Sequence, residues 1–406
     1  MDLNELANRF EANPIPENAL PLAKTLNQER RHDVLAVLAD CLLLSAPMSY
    51  ELRLEAARAY RDCGDTERAF DAYGHVLALP NLTLGESKDV VKERSRLGEE
   101  IMHLRPPRYN SGHVHEIDTR RRSEKPLITL TMTSCKRLDL FTRTVDSFLE
   151  NCTDAHLISE WICVDDNSSQ SDREKMQELY PFFTFYFKTP EEKGHPQSMN
   201  ILRNAVKTPY VFHMEDDWQF FEKRPYMTLA LDVLAGGEVK QCLININYTE
   251  TPGDMDVVGG GDFCVTRGGT RHFVHEHVTT DVEKQMWERK HGQVPSSNYW
   301  PHYSFRPSLL YRSVWEELGA FNEEVSHFEM EYSHRFVAKG WKSGFLEGVY
   351  CRHIGRLTSE RFDGTVKNAY ELNDEAQFEG KEEQQAKKKE AGVSEPRSPK
   401  PVSPAK

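Results

Sequence analysis

The sequence predicts an α/β protein: a mostly parallel sheet clad by helices, preceded by an all-α, repeat-like module. Three observations predict it. The first hundred residues carry apolar positions at helical spacing and no convincing strand. From Pro126 the pattern changes to short β-rich runs alternating with helices, which implies right-handed crossovers and parallel pairing. Two of those runs end in acidic clusters, Asp165-Asp166 and Glu215-Asp216-Asp217. An open α/β sheet places its ligand there, beyond the carboxyl ends of its strands.

Composition narrows the classes. The 406 residues, 38% hydrophobic and 28% charged, give room for two or three domains. A net charge of −13 excludes a general nucleic-acid binder, which needs clustered Lys and Arg for phosphate contacts. No apolar run approaches the roughly 18–20 residues of a membrane span, and nothing resembles a secretory signal. A cytoplasmic location without a transmembrane segment is therefore expected. The eight cysteines are scattered without C-x-x-C pairs, and Cys41, Cys163 and Cys242 sit in apolar runs. Buried reduced thiols are expected of them.

In chain order, residues 1–104 read as the helical module. Val34, Leu35, Val37, Leu38, Cys41 and Leu42 make a wide apolar helical face. Between Tyr50 and Pro80, Ala56, Ala59, Tyr60, Gly64, Ala69, Tyr73 and Val76 predict two short helices joined around Gly64-Asp65. That spacing resembles one tetratricopeptide repeat. One repeat cannot bury its own face, so neighbouring helices must complete a small solenoid. It serves either as a platform for a protein partner or acceptor, or as packing for the next domain. Residues 105–125, with Pro106-Pro107 and Arg120-Arg121-Arg122, read as a linker.

Residues 126–372 form the expected catalytic domain. Leu127–Thr133, Trp161–Val164, Phe183–Phe187 and Tyr210–Phe212 are its strands; helices carry Phe141, Val145 and Phe148, then Met176, then Met199 and Leu202. Asn167 or Ser168 is expected to cap the second of those helices. Further on, Cys242–Tyr248, Ser308–Tyr311 and Trp341–Tyr350 are strand-like, and Ser313 to Glu316 has capping-box spacing. Gly253–Arg271 is a glycine-rich loop. Phe328–Lys339 is an amphipathic helix stopped by Gly340. Residues 373–406, rich in Lys, Glu, Ser and Pro, are an expected disordered tail.

Seven motifs in this order resemble the nucleotide-sugar glycosyltransferases of family 2, with their Rossmann-like A-type fold. Thr133-Ser134-Cys135-Lys136-Arg137 stands for the first strand's end and Val164-Asp165-Asp166-Asn167-Ser168 for the V-D-D-x-S of the second. Gly194 with Asn200, and Glu215-Asp216-Asp217 in the D-x-D position, follow. Then come Leu318-Gly319-Ala320-Phe321-Asn322-Glu323, the Phe328–Arg335 helix and Gly340-Trp341-Lys342. Cys135 replaces an aromatic, and Phe328-Glu329 replaces the family's E-D.

The resemblance implies the chemistry. A nucleoside-diphosphate sugar, a UDP-sugar foremost, would donate to a glycan or protein acceptor, with Mn2+ or Mg2+ as Lewis acid on the diphosphate. Asp217 and His353 would hold the metal; Glu215 and Asp216 would hold ribose or metal-bound water. Thr133, Asp165, Asp166 and Asn200 would meet the nucleotide. Glu329, or else Glu331, would be the general base of an inverting displacement. The competing readings are a retaining enzyme on the same fold and a non-catalytic helical scaffold. A nucleotidyltransferase would want a Gly-rich loop after the first strand, which Thr133–Arg137 lacks.

Overall fold

The computed structural model describes residues 2–43, 49–77, 84–104, 127–246, 261–278, 300–325 and 327–355, with isolated positions besides. The expected linker 105–125, the tail 373–406 and most of the glycine-rich loop lie outside the described residues.

The N-terminal module is helical: α1 (Leu3–Ala12), α2 (Pro16–Gln28), α3 (His32–Leu43), α4 (Tyr50–Asp62), α5 (Thr66–Leu77) and α6 (Leu84–Leu104). Helix α4 stops where expected. Gly64 takes φ +78°, and the Gly64 and Asp65 amides donate back to the Arg61 and Tyr60 carbonyls. That is the Schellman arrangement, open to glycine because it has no Cβ. Ala56, Ala59, Tyr60, Ala69, Tyr73 and Val76 are all buried. In α3 only part of the expected face turns inward. Leu35 and Leu38 are buried, while Val34 and Val37 are 36% and 63% exposed. A helix apolar nearly all round gives periodicity no face to choose.

The alternating part begins with β1 (Ile128–Ser134), α7 (Leu138–Asn151), β2 (Ile158–Asp165), α8 (Gln170–Leu179), β3 (Thr184–Phe187), α9 (His195–Ala205) and β4 (Tyr210–Glu215). Then follow β5 (Trp218–Phe220), α10 (Tyr226–Ala235), β6 (Gln241–Leu243), β7 (Asp262–Val265), β8 (Arg271–Val274), β9 (Ser308–Tyr311), α11 (Arg312–Leu318), α12 (Phe328–Ala338), β10 (Ser343–Leu346) and β11 (Cys351–His353). Among the described residues nine strands form one sheet in the order β3-β2-β1-β4-β9-β6-β10-β8-β7, and β5 pairs with β11 in a separate ribbon. Strands β3, β2, β1 and β4 are parallel neighbours, as expected. Strand β9 runs antiparallel between β4 and β6, and β8 runs antiparallel between β10 and β7.

Every residue of β1 is buried, as a central strand covered on both faces requires. One face packs Phe148 of α7 against Phe212, Trp161 and Phe220, at ring separations of 5.4, 5.9 and 5.1 Å. The other packs Met199, Leu202, Trp315, Phe321 and Tyr332. Two expected caps shift. Ser169 caps α8, accepting from the Asp172 amide at 3.1 Å, while Ser168 accepts from the Lys136 amide instead. Helix α11 starts straight from β9 with no side-chain cap; the Arg312 amide goes to the Pro209 carbonyl, and Ser313 lies inside the helix. Among the described residues no helix is long and apolar enough to cross a membrane.

Candidate active site

The sheet register builds the site. Ser134 pairs with Asp165 and Thr133 with Glu215, so both acidic clusters end neighbours of β1. Past Glu215 the chain turns, and the next two residues take opposite surroundings.

Asp216 is enclosed. Ser134 Oγ and the Cys135 amide donate to its Oδ2 at 3.0 and 3.1 Å, and Arg137 donates to Oδ1. Burial pushes its carboxyl up to about 6 even beside Arg137. Both oxygens are engaged, so in this structure Asp216 ties β4 to the β1–α7 turn and does not reach toward a ribose.

Asp217 presents one oxygen differently. Its Oδ2 receives Arg137 Nη1 at 3.0 Å and lies 3.1 Å from His353 Nε2. Its Oδ1 is buried and has no hydrogen-bond partner. Burial pushes this carboxyl up, yet His353 and Arg137 outweigh it and hold Asp217 well below the usual carboxylate range. The β5–β11 ribbon brings His353 there: Trp218 pairs with His353, and the Ile354 amide donates to the Asp217 carbonyl at 2.8 Å. Gly355 lies so close that a Cβ would stand 2.2 Å from Asp217 Oδ2.

Beside this pair opens a cavity of about 310 Å3. Glu215, Glu329 and His353 line it, with Trp218, Leu243, Trp300 and Phe345 as apolar walls and His275, His302, Ser304 and Arg306 as polar ones. Burial, then Asp217 and Glu329, push Glu215 well above the carboxylate range. Burial raises Glu329 to about 7, although the Phe305 amide donates to its Oε1 at 2.8 Å. Three carboxylates in one poorly solvated corner repel one another, which a cation relieves.

Other expected site residues are held elsewhere. Glu331 lies two residues from Glu329, on the far side of α12, and pairs with Arg335 at 2.8 Å. The structure does not bring it to the cavity, because a two-residue step turns a helix by about 200°. Asn200 fastens the loop before α12: its amide donates to the Phe321 carbonyl and Glu323, and its Oδ1 accepts from the Phe321 amide at 2.8 Å. Asp165 is buried against Arg173 at 2.7 Å and the Ser168 amide. Asp166 accepts from the Gly194 amide and pairs with the buried Lys188 at 3.2 Å. Thr133 Oγ1 is 3.4 Å from His195 Nε2. These residues shape the strand ends.

Sequence reasoning passed over Arg137, which clamps both aspartates, and Lys188, His275, His302 and Arg306. Arg137 was visible as the last residue of the Thr133–Arg137 motif. His275 stands in the run His272-Phe273-Val274-His275-Glu276-His277, a signal of its own. Lys188 and Arg306 left no local mark.

Among the described residues no three His, Cys, Asp or Glu side chains form a ready metal cage. Asp217 Oδ1, buried and without a partner, and His353 beside it still fit a divalent ion that takes its other oxygens from a bound phosphate, the habit of Mg2+ and Mn2+ sites.

The acidic end of β4 thus reaches a cavity through Glu215, beyond the carboxyl ends of the parallel strands, where an open α/β sheet holds its ligand. Residues 129–231 match the family model described as glycosyl transferase family 2. The match runs from within β1 to the middle of α10 and hence takes in Asp165, Glu215 and Asp217, but neither Glu329 nor His353. No curated protein matches the chain. Among solved structures the chain is loosely similar to the crystal structure of GalNAc-T7 with UDP, GalNAc and Mn2+, at 13% identity and TM-score 0.41. The overlap covers 58% of this chain and 45% of that one, so the chain spans less than half of that neighbour's length. It is also similar to the mannosyltransferase PcManGT from Pyrobaculum calidifontis in complex with GDP-Man and Mn2+, at 13% identity and TM-score 0.38, covering 66% and 68% of the two chains.

Proposed function

We propose that the protein is a divalent-metal-dependent, inverting glycosyltransferase that moves a sugar from a nucleoside-diphosphate donor, foremost a UDP-sugar, to a hydroxyl of a glycan or protein. The observation that carries this reading is the meeting of His353, Glu215 and Glu329 at one cavity beyond β4, with Asp217, one oxygen unengaged, in contact with His353. Asp217 and His353 would hold Mn2+ or Mg2+. Bound there, the ion would supply Lewis-acid stabilisation of the charge on the departing diphosphate.

Glu329 is the base. Its carboxylate accepts the proton of the acceptor hydroxyl, whose oxygen bonds to the anomeric carbon as the bond from that carbon to the phosphate oxygen breaks. The nucleoside diphosphate leaves with the electron pair. Attack from the face opposite the leaving group inverts the anomeric centre. Support for Glu329 is its place on the cavity and its raised proton affinity, which suits a base working near neutral pH. The walls Trp218, Trp300 and Phe345 suit the apolar face of a sugar ring.

Titrating UDP into the protein with and without Mn2+ tests the donor half, and screening UDP-sugars for metal-dependent hydrolysis names the sugar. Binding equal in both conditions would overturn the metal reading. The anomeric proton coupling of the product tests inversion, and a retained configuration would overturn the role of Glu329. No binding at all would leave a non-catalytic scaffold as the better reading.

A further inference from the structure

The helical module meets the catalytic domain at one tight place. Arg94, on the middle of α6, is 7% exposed and ion-paired with Glu222, which is 4% exposed. Its Nε donates to the Phe70 carbonyl at 3.1 Å, and its guanidinium lies over the Phe70 ring, 3.7 Å from the centroid. One turn on, Gly98 packs against Phe221, where a Cβ would stand 2.5 Å from two ring carbons. Phe70 meets the same Phe221 edge-on at 6.3 Å.

Phe221 and Glu222 are the continuation of β5. The Phe221 amide donates to the Tyr350 carbonyl at 3.1 Å, the three pairs of the ribbon follow, and the Ile354 amide closes the other end on Asp217. From Glu222 to Asp217 is five residues of extended chain, roughly 16 Å. A ribbon of two three-residue strands is marginal alone in water and keeps its position only by what holds it. Thr144 and Ser147 of α7 accept from the Trp218 and Phe220 amides along its edge, each at 3.0 Å. Its far end is held by α6. The same contact reaches the cavity wall, because Leu243 and Phe345 line the cavity and share one apolar cluster with Tyr60, Phe70, Tyr73 and Val91.

We infer that α6 is a positioning element of the active site: the Arg94–Glu222 pair and the Gly98–Phe221 contact set the ribbon that brings His353 onto Asp217. The inference rests on the reading of Asp217 and His353 as ion ligands. It makes the helical module part of the catalytic apparatus, and Arg94 acts there through the ribbon, touching no substrate.

The test uses the full-length chain and four variants: Arg94→Met, Arg94→Lys, Gly98→Ala and, as control, Glu93→Gln, whose carboxylate pairs with Arg61 inside the module. Two readouts apply, hydrogen exchange of the Phe221 and Ile354 amides and Mn2+ affinity by electron paramagnetic resonance with UDP present. Arg94→Met and Gly98→Ala should exchange those amides about tenfold faster and bind Mn2+ about tenfold more weakly, with helical circular dichroism intact. Arg94→Lys should recover most of the Mn2+ affinity, and Glu93→Gln should match the unaltered chain. Folded variants with unchanged exchange and affinity would overturn the inference. If Arg94→Met unfolds, Gly98→Ala decides; if that unfolds as well, α6 holds the fold and not the site, and the inference fails. An unaltered chain that binds no Mn2+ would sink the ion reading alone, while the exchange data still judge whether α6 holds the ribbon.

Discussion

Two adjacent aspartates show how surroundings assign roles that residue type leaves open. Asp216 has both oxygens filled by Ser134, Cys135 and Arg137; Asp217 keeps one unengaged. Asp217→Asn should therefore weaken Mn2+ and UDP binding together in calorimetric titration, and it should also lower stability, since Asp217 pairs with the buried Arg137 and with His353. Asp216→Asn should act on stability, since it leaves the buried Arg137 underpaired. A loss of about 3–5 kcal/mol in urea unfolding is expected. Glu329→Gln should leave donor binding nearly unchanged while transfer slows about 10²–10⁴-fold in a radiolabelled-sugar assay. A base works only deprotonated, so transfer at saturating donor should rise with pH up to about 7 and then level off. The sign for stability is opposite. Burial lifts the folded-state value above the unfolded one, so stability falls as pH rises from the unfolded value and the full penalty stands above about 7. Glu329→Gln should raise the melting temperature at pH 8 and change little near pH 4.

At the scale of elements, helix faces and short ribbons do the sorting. Glu329 and Glu331 are equivalent on the page of the sequence, and only the packing of Phe328, Tyr332 and Phe336 into the core turns one toward the cavity. Glu331→Gln should keep transfer rates within about twofold, since exposed ion pairs contribute little. Loss of activity there would move the base two residues along. The segment after β11 carries a steric constraint instead. Gly355→Ala would drive a methyl into the Asp217 carboxylate, so Mn2+ binding should fall about as far as in Asp217→Asn, read by the same titration. Strands β5 and β11 are three residues each, too short for an alternating pattern to stand out, which is why the ribbon was not legible.

For the whole molecule, the helical start and the α/β sheet after it were legible, but the packing between them was not. Phe221, Leu243, Ile246, Phe345 and Val349 belong to one apolar cluster with residues of α4, α5 and α6. A fragment beginning after Leu104 would bare part of that cluster, where each large side chain is worth about 1.5–3 kcal/mol of burial. Such a fragment should be poorly soluble or melt well below the full chain in a thermal scan. Equal melting would show that the module adds nothing to the fold.

Period and composition sufficed for the helical start, the four parallel strands from β1 to β4 and the acidic ends of β2 and β4. Those signals are local: helical and strand spacing repeat within a few residues, and a parallel strand buried on both faces must be apolar throughout. Motif order pointed to Asp217 and Glu329, and the place after the last expected strand to His353; folding brings Asp217 and His353 into contact across 136 positions of chain. Which carboxylates stay open is another matter. Asp166, Asn200 and Asp216 match the family pattern as well as Asp217 does, yet Lys188, Phe321 and Arg137 engage them, and Asp165, which also keeps one oxygen without a partner, pairs with Arg173 and does not line the cavity. Only folding brings those partners within hydrogen-bond reach, because an ion pair depends on distance in space and leaves no period along the chain.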